Sequence, residues 1–99
     1  MKLKVQSIHF DADSKLLEFV QEKVDGLTHY YDDIIDGEVF LKLDNTSNAA
    51  NKIAEIKVKV PGKVLFAKEQ CKTFEEATDL AVEALRKQVT KRKEKSRRM

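Results

Sequence analysis

The segment AEIKVKVPGKVLF, residues 54–66, contains three parts. Apolar and charged residues alternate regularly over residues 54–60, Pro-Gly follows, and residues 63–66 form a second, less regular run. Alternation with a period of two is typical of a β-strand that has one buried and one exposed face. Pro61 and Gly62 favour a tight turn between the two runs. The segment therefore predicts two strands joined by this turn, with Val64 and Phe66 on one face of the second strand.

Two further strands are predicted earlier in the chain. Residues 2–8 alternate, with Leu3 and Val5 on one face and polar side chains on the other. Residues 38–43 alternate in the same way. The apolar positions of this second run are Val39, Leu41 and Leu43. Both runs are typical of half-buried strands.

Two helices are predicted from apolar residues at helical spacing. The first begins with Asp13 or Ser14 as its N-cap and contains Gly26 in its interior. The second begins at residues 73–76, Thr-Phe-Glu-Glu, whose hydroxyl and carboxylate groups fit a capping box. The apolar stripes are Leu16, Leu17, Val20, Val24, Leu27 and Tyr31 in the first helix, and Ala77, Leu80, Ala81, Ala84, Leu85 and Val89 in the second.

The resulting order of elements, β-α-β-β-β-α, predicts an α+β fold. Both helices would pack on one face of an antiparallel or mixed four-stranded sheet, which gives a two-layer sandwich. A chain of 99 residues is expected to form a single domain, residues 1–99. The other face of the sheet, the open face, would carry Lys2, Lys4, Lys42, Lys57 and Lys59.

The net charge of +2 hides an uneven distribution of charge along the chain. Residues 86–99 contain 8 basic and 1 acidic side chains, a net charge of +7, whereas residues 1–85 contain 11 basic and 16 acidic side chains, a net charge of −5. After Val89, no apolar residue occurs before Met99. We therefore predict that residues 90–99 extend the second helix as a basic segment, about 15 Å beyond the packed body. Such a segment on an acidic body suggests an anionic partner.

Three lysines of this helix are spaced four residues apart. Lys87, Lys91 and Lys95 would therefore form one cationic ridge along the helix. Contacts with phosphates require lysine or arginine side chains on a rigid element, and the second helix would provide them. Binding to RNA or DNA is therefore the favoured interpretation. The basic segment has no interleaved aromatic residues, so base stacking from it is not expected. A solvated tail without a partner is the alternative.

No catalytic or metal site is predicted. His9 and His29 are the only histidines, and Cys71, the only cysteine, has no base close to it in sequence. The acidic clusters lack the spacing of a calcium loop, and there is no glycine-rich phosphate loop. We therefore expect a protein that is not an enzyme and holds no cofactor. A single cysteine suits the reducing cytoplasm, and no stretch approaches the roughly 18 apolar residues of a membrane span.

Three segments of the chain together resemble one known family. They are LLEFVQEKVDGLTHYYDD (16–33), GEVFLKLD (37–44) and TDLAVEALRKQVTKRKEK (78–95). In the last segment an aspartate opens a helix that continues through a leucine and a glutamine into repeated lysines. Those positions are held here by Asp79, Leu85, Gln88, Lys91, Lys93 and Lys95, with Lys87 as a further basic residue. The chain is similar to the ribosome hibernation promoting factor family, also called ribosome-associated inhibitor A or sigma-54 modulation protein.

The resemblance implies a double-stranded-RNA-binding-like fold and a role in ribosome hibernation. The protein would bind the small ribosomal subunit and its ribosomal RNA in the channel for mRNA and tRNA, and so block translation in resting cells, under stress or in stationary phase. The RNA-binding residues would be Lys23, Arg86, Lys87, Lys91, Arg92, Lys93 and Lys95. The chain resembles the short form, without a C-terminal dimerisation domain, so we expect a monomer when free. Tyr30 and Tyr31 are interpreted as packing residues, not as platforms for RNA bases.

Two other functions stay open at this point. The protein could be a general module that binds structured RNA away from ribosomes, or a protein-interaction domain that regulates a transcription factor. Sedimentation of a lysate through a sucrose gradient separates the three hypotheses. The protein would travel with small subunits and ribosomes, with free RNA, or at the top of the gradient, respectively.

Overall fold

A computed structural model describes residues 1–44 and 49–97 of the chain, and the side chains of residues 92–97 lie outside this description. The elements follow the predicted order. They are β1 (Lys2–Ile8), α1 (Ser14–Asp25), a short 3-10 helix (Gly26–His29), β2 (Asp36–Leu43), β3 (Lys52–Val60), β4 (Lys63–Cys71) and α2 (Phe74–Arg97). The predicted α+β fold, with two helices on a four-stranded sheet, is confirmed.

The four strands lie in the order β1-β2-β3-β4. β1 and β2 are parallel because α1 carries the chain back between them, and the other two pairs are antiparallel. Pro61 and Gly62 form the predicted turn between β3 and β4, where Val60 pairs with Lys63. Gly62 has a φ of 80°, a left-handed conformation that glycine adopts because it has no Cβ. The sheet is therefore mixed, with its parallel pair at one edge.

One face of the sheet packs against both helices and forms a single hydrophobic core. In α1 the fully buried side chains are Val20 and Val24, and in α2 they include Leu85 and Val89. The strands contribute Val39, Leu41, Ile56, Val58 and Val60. Burial of each such side chain stabilises the fold by about 1.5–3 kcal/mol. The core therefore holds α2 in place as far along the helix as Val89.

Both helices begin at predicted capping residues. The Oδ1 atom of Asp13 accepts a hydrogen bond from the backbone N–H of Leu16 at 2.8 Å, so Asp13, and not Ser14, is the N-cap of α1. At the start of α2, Oγ1 of Thr73 accepts from the backbone N–H of Glu76 at 3.1 Å. A side-chain cap of this kind stabilises a helix by about 1 kcal/mol.

The predicted apolar stripe of α2 is wrong at one position. Leu80 is 46% exposed, and Thr78 is fully buried instead. The positions Ala77, Ala81, Leu85 and Val89 are four residues apart, and that spacing carries the buried face steadily around the helix. The rotation brings Thr78 into the core and leaves Leu80 on the flank that faces solvent.

Two other predicted positions differ at the ends of elements. Leu43, the last residue of β2, is 41% exposed and does not join the core. Gly26 does not lie inside α1, because the helix ends at Asp25 and the backbone tightens into the 3-10 helix at Gly26. Val64 and Phe66 share one face of β4 as predicted, and that face is the open one, because both side chains are exposed.

Candidate functional site

The cationic ridge is anchored by the core of the domain. Lys87 and Lys91 are exposed, whereas Leu85 and Val89 of the same helix are fully buried. Three other predicted RNA-binding residues lie within the span of α2, but their side chains are outside the described residues: Arg92, Lys93 and Lys95. The structure therefore places two lysines of the ridge on a fixed helix, and the contribution of the other residues stays a prediction.

Lys23 lies on α1 and reaches towards α2. Its Nζ atom is 3.5 Å from Oδ1 of Asp79, and about half of each side chain is exposed. The same Nζ atom lies 5.6 Å from the centre of the Phe19 ring. An ion pair this exposed contributes less than about 1 kcal/mol, because water screens both charges. Lys23 can therefore exchange Asp79 for another anion at little cost.

Arg86 is already engaged on two sides. Its Nε atom donates to Oε2 of Glu83 at 3.0 Å, and its Nη2 atom donates to Oε1 of the same carboxylate. This hydrogen bonding lowers the pKa of Glu83 and raises the pKa of Arg86. The guanidinium group also lies 5.7 Å from the centre of the Tyr30 ring. Because a carboxylate neutralises Arg86 locally, this residue is less free to bind a phosphate than Lys87 is.

Tyr30 and Tyr31 have different environments. Tyr31 is 8% exposed and belongs to the core, as predicted, but Tyr30 is 47% exposed, which does not fit a packing role. Both residues follow the 3-10 helix, and their side chains leave the backbone in different directions, so only Tyr31 reaches the core. The predicted apolar stripe of the first helix contains Tyr31 and not Tyr30, so helical spacing in the sequence already distinguishes the two residues. The contact between Tyr30 and Arg86 could not be predicted from the sequence, because the two residues are far apart in the chain.

Charges alternate from strand to strand on the open face. Two rows of residues in register across β1, β2 and β3 have the order lysine, acid, lysine: Lys2–Asp36–Lys59 and Lys4–Glu38–Lys57. Lys42 forms an ion pair with Glu55, with Nζ 2.5 Å from Oε2. Opposite charges on neighbouring strands attract each other. The open face is therefore less positive than its five predicted lysines alone would make it.

Cys71 is buried, and burial raises the pKa of its thiol, with smaller contributions from Glu76 and Glu69. A buried, neutral thiol is a poor nucleophile. Among the residues that the structure describes, no three histidine, cysteine, aspartate or glutamate side chains are placed to hold a metal ion. No helix in the same part of the chain has the length and apolar character needed to cross a membrane.

The fold and the charged surface define a class of protein: a small α+β domain in which one helix both closes the core and displays basic side chains. A family model described as sigma 54 modulation protein / S30EA ribosomal protein matches residues 3–97. The chain belongs to this family, which is associated with ribosomes and is not a family of enzymes. The family that the sequence resembles is thereby confirmed.

Two solved structures are similar to this chain over most of its length. The crystal structure of the Thermus thermophilus Protein Y N-terminal domain has 26% sequence identity and a TM-score of 0.78, and the match covers 92% of this chain and 98% of that one. A ribosomal subunit interface protein from Coxiella burnetii has 22% identity and a TM-score of 0.82, with 94% and 98% covered. The second likeness concerns the fold alone.

Proposed function

We propose that this protein binds the small ribosomal subunit in the cytoplasm and blocks translation by occupying the channel for mRNA and tRNA in resting cells. One observation carries the proposal: α2 is fixed in the core by Leu85 and Val89 while it exposes Lys87 and Lys91. The chain also belongs to a ribosome-associated family. A solved structure described as a ribosomal subunit interface protein has the same fold.

Electrostatics would orient the protein as it approaches ribosomal RNA. Residues 1–85 carry a net charge of −5 and residues 86–99 a net charge of +7. Phosphates therefore attract the basic end of α2 and repel the body, so the helix enters the RNA-lined channel first. Lysines of the cationic ridge would replace condensed counterions on the phosphates, and the release of those ions favours binding.

Lys23 and the basic segment of residues 90–99 would add to this contact. Lys23 lies next to α2 and can exchange Asp79 for a phosphate, because its ion pair is exposed. Inhibition by occupancy needs only that the bound domain fills space required by mRNA or tRNA. We therefore expect stoichiometric inhibition that is reversed by dilution, without chemical change in the ribosome.

Sedimentation of purified protein with ribosomal subunits tests the proposal directly. We expect the protein to travel with the small subunit and with whole ribosomes. We expect it not to bind ribosomes whose channel is already filled by mRNA and tRNA. Co-sedimentation with free structured RNA alone would instead favour a general RNA-binding module. Protein that stays at the top of the gradient in every mixture would contradict ribosome binding.

Replacement of Lys87, Lys91 and Lys95 by glutamine should weaken binding to the small subunit and reduce its dependence on salt. Each phosphate that the protein neutralises contributes about −0.7 to −0.9 to the log-log slope of affinity against salt concentration. Loss of three contacts should therefore flatten the slope by about two units. Affinity measured from about 50 to 300 mM salt gives this slope.

A matched control removes three lysines from the open face: Lys4, Lys57 and Lys59. The control loses the same net charge, and all three lysines are exposed, so the variant should stay folded. Because acidic residues lie beside these lysines, we expect its slope to change by less than half as much. Equal changes in both variants would mean that binding depends on net charge. A change in the control variant alone would mean that the protein docks through its strands.

A further inference from the structure

We propose that Tyr30 stacks on an unpaired base of the bound RNA, next to the phosphate contacts of α2. This inference rests on the proposed function and adds a second kind of contact to it. The basic segment of α2 has no aromatic residue to offer a base, so any stacking group must come from another element. Tyr30 directly follows the 3-10 helix and is brought to α2 by the fold.

The backbone of Tyr30 is held on both sides, and this determines where its side chain leaves the domain. Its N–H donates to the carbonyl oxygen of Leu27 at 3.0 Å, and Leu27 is fully buried. Tyr31, the next residue, is buried in the core. A ring held in this way loses little conformational entropy when a base is placed against it. With 47% of its surface exposed, Tyr30 still has area available for such a contact.

Arg86 acts as the positioning residue for this ring. Glu83 holds the guanidinium group by two hydrogen bonds, and the group lies 5.7 Å from the centre of the Tyr30 ring. Arginine is the side chain that most often packs over an aromatic ring in this way. Because its charge is paired with Glu83, Arg86 would support the ring more than it would bind a separate phosphate. Arg86 would therefore contribute to RNA binding by positioning Tyr30, and not by contacting a phosphate itself.

Two lysines on α1 and α2 would supply phosphate contacts for a nucleotide whose base lies on Tyr30. Lys87 follows Arg86 on α2 and is exposed, and Lys23 lies at the junction of α1 and α2. Proteins that recognise single-stranded segments of RNA use this combination of an aromatic platform and flanking cations.

Two single-stranded RNA probes of eight nucleotides test the stacking contact, one with normal bases and one with abasic positions throughout. Both carry the same phosphates, so a difference in affinity between them comes from the bases, and the Tyr30 variants show whether stacking on this ring accounts for it. We expect the full chain to bind the normal probe about tenfold more tightly than the abasic one, within the range measured for base–aromatic stacking. Tyr30→Ala should bind both probes equally, and Tyr30→Phe should keep the preference. As a matched control, Phe66→Ala removes a 44% exposed ring from the open face and should also keep it.

Fluorescence gives a second readout. The chain contains no tryptophan and two tyrosines, and Tyr31 is buried, so quenching by a stacked base would report on Tyr30. Quenching should occur with the normal probe and be absent with Tyr30→Phe. Equal binding of both probes by the full chain, or an unchanged preference in Tyr30→Ala, would overturn the inference. A preference lost in Phe66→Ala but kept in Tyr30→Ala would move the stacking site to the sheet.

Affinity for small subunits separates this inference from the proposed function. Tyr30→Ala should weaken subunit binding about tenfold without changing the salt slope, because stacking neutralises no phosphate. If the full chain binds subunits and Tyr30→Ala binds them equally well, stacking is refuted and ribosome binding stands. If the full chain prefers the normal probe but does not bind subunits, ribosome binding is refuted and stacking stands.

Discussion

Deletion of residues 91–99 is expected to abolish binding to the small ribosomal subunit while the domain stays folded. Val89 is fully buried, Thr90 is half-buried and Lys91 is exposed, so the deletion begins just after the last buried residue that the structure describes. We expect the free energy of unfolding to change by no more than about 1 kcal/mol, as for other changes outside the core. The deleted segment holds 6 basic and 1 acidic residues, a net charge of +5. Loss of that many phosphate contacts should weaken binding by about a hundredfold or more at physiological salt.

Urea unfolding and subunit affinity, measured on the same preparation, check both halves of this expectation. A full-length variant with glutamine at the six basic positions of residues 91–99 serves as the control, because it keeps the length of the segment and removes its positive charges. The control should lose affinity to a similar degree. A truncated protein that unfolds would mean that the segment stabilises the fold, and a truncated protein that still binds would place the interface elsewhere.

Leu85→Ala should lower the free energy of unfolding by about 3 kcal/mol, within the range of about 2–5 kcal/mol for buried leucine truncations. Leu85 is fully buried where α2 packs on the sheet, so its loss leaves a cavity in addition to the lost burial. A domain of this size is stabilised by only about 5–15 kcal/mol in total. The variant should therefore unfold at a clearly lower urea concentration, with a similar slope against urea.

Leu80→Ala on the same helix is the matched control for this substitution. Leu80 is 46% exposed, so the same change of side chain should cost less than about 1 kcal/mol. The comparison also distinguishes the observed packing from the apolar stripe predicted by the sequence, which included both leucines. Equal losses in the two variants would mean that α2 is rotated relative to the packing described here.

Much of the fold could be predicted because periodicity in this chain is strong. Alternation gave all four strands, and the caps Asp13 and Thr73 marked the helix starts within a residue. Errors occurred where a position depends on neighbouring elements. Leu80 fits an apolar stripe in an isolated helix, but the direction in which the sheet covers α2 leaves it in solvent. Leu43 likewise fits the alternation of β2, but it lies at the end of the strand.

The candidate site was only partly predictable from the sequence. The density of basic residues and their four-residue spacing are local properties, so the cationic ridge could be proposed directly. The partners of Lys23 and Arg86 could not, because Asp79 and Tyr30 are brought to them by the packing of α1 and the 3-10 helix against α2. The pairing of lysines with acidic residues on the open face could not be predicted either, because it depends on strand register, which periodicity alone does not determine.

β1 is the least secured strand of the described sheet. It lies at one edge, pairs with β2, and contains no fully buried residue. β2, β3 and β4 are joined by consecutive antiparallel pairings, and α2 packs on β3 and β4. Backbone amides exchange their hydrogens with water first where few apolar contacts hold the chain. Local unfolding should therefore begin at β1, while the unit formed by β2, β3, β4 and α2 opens last and keeps the basic helix in place.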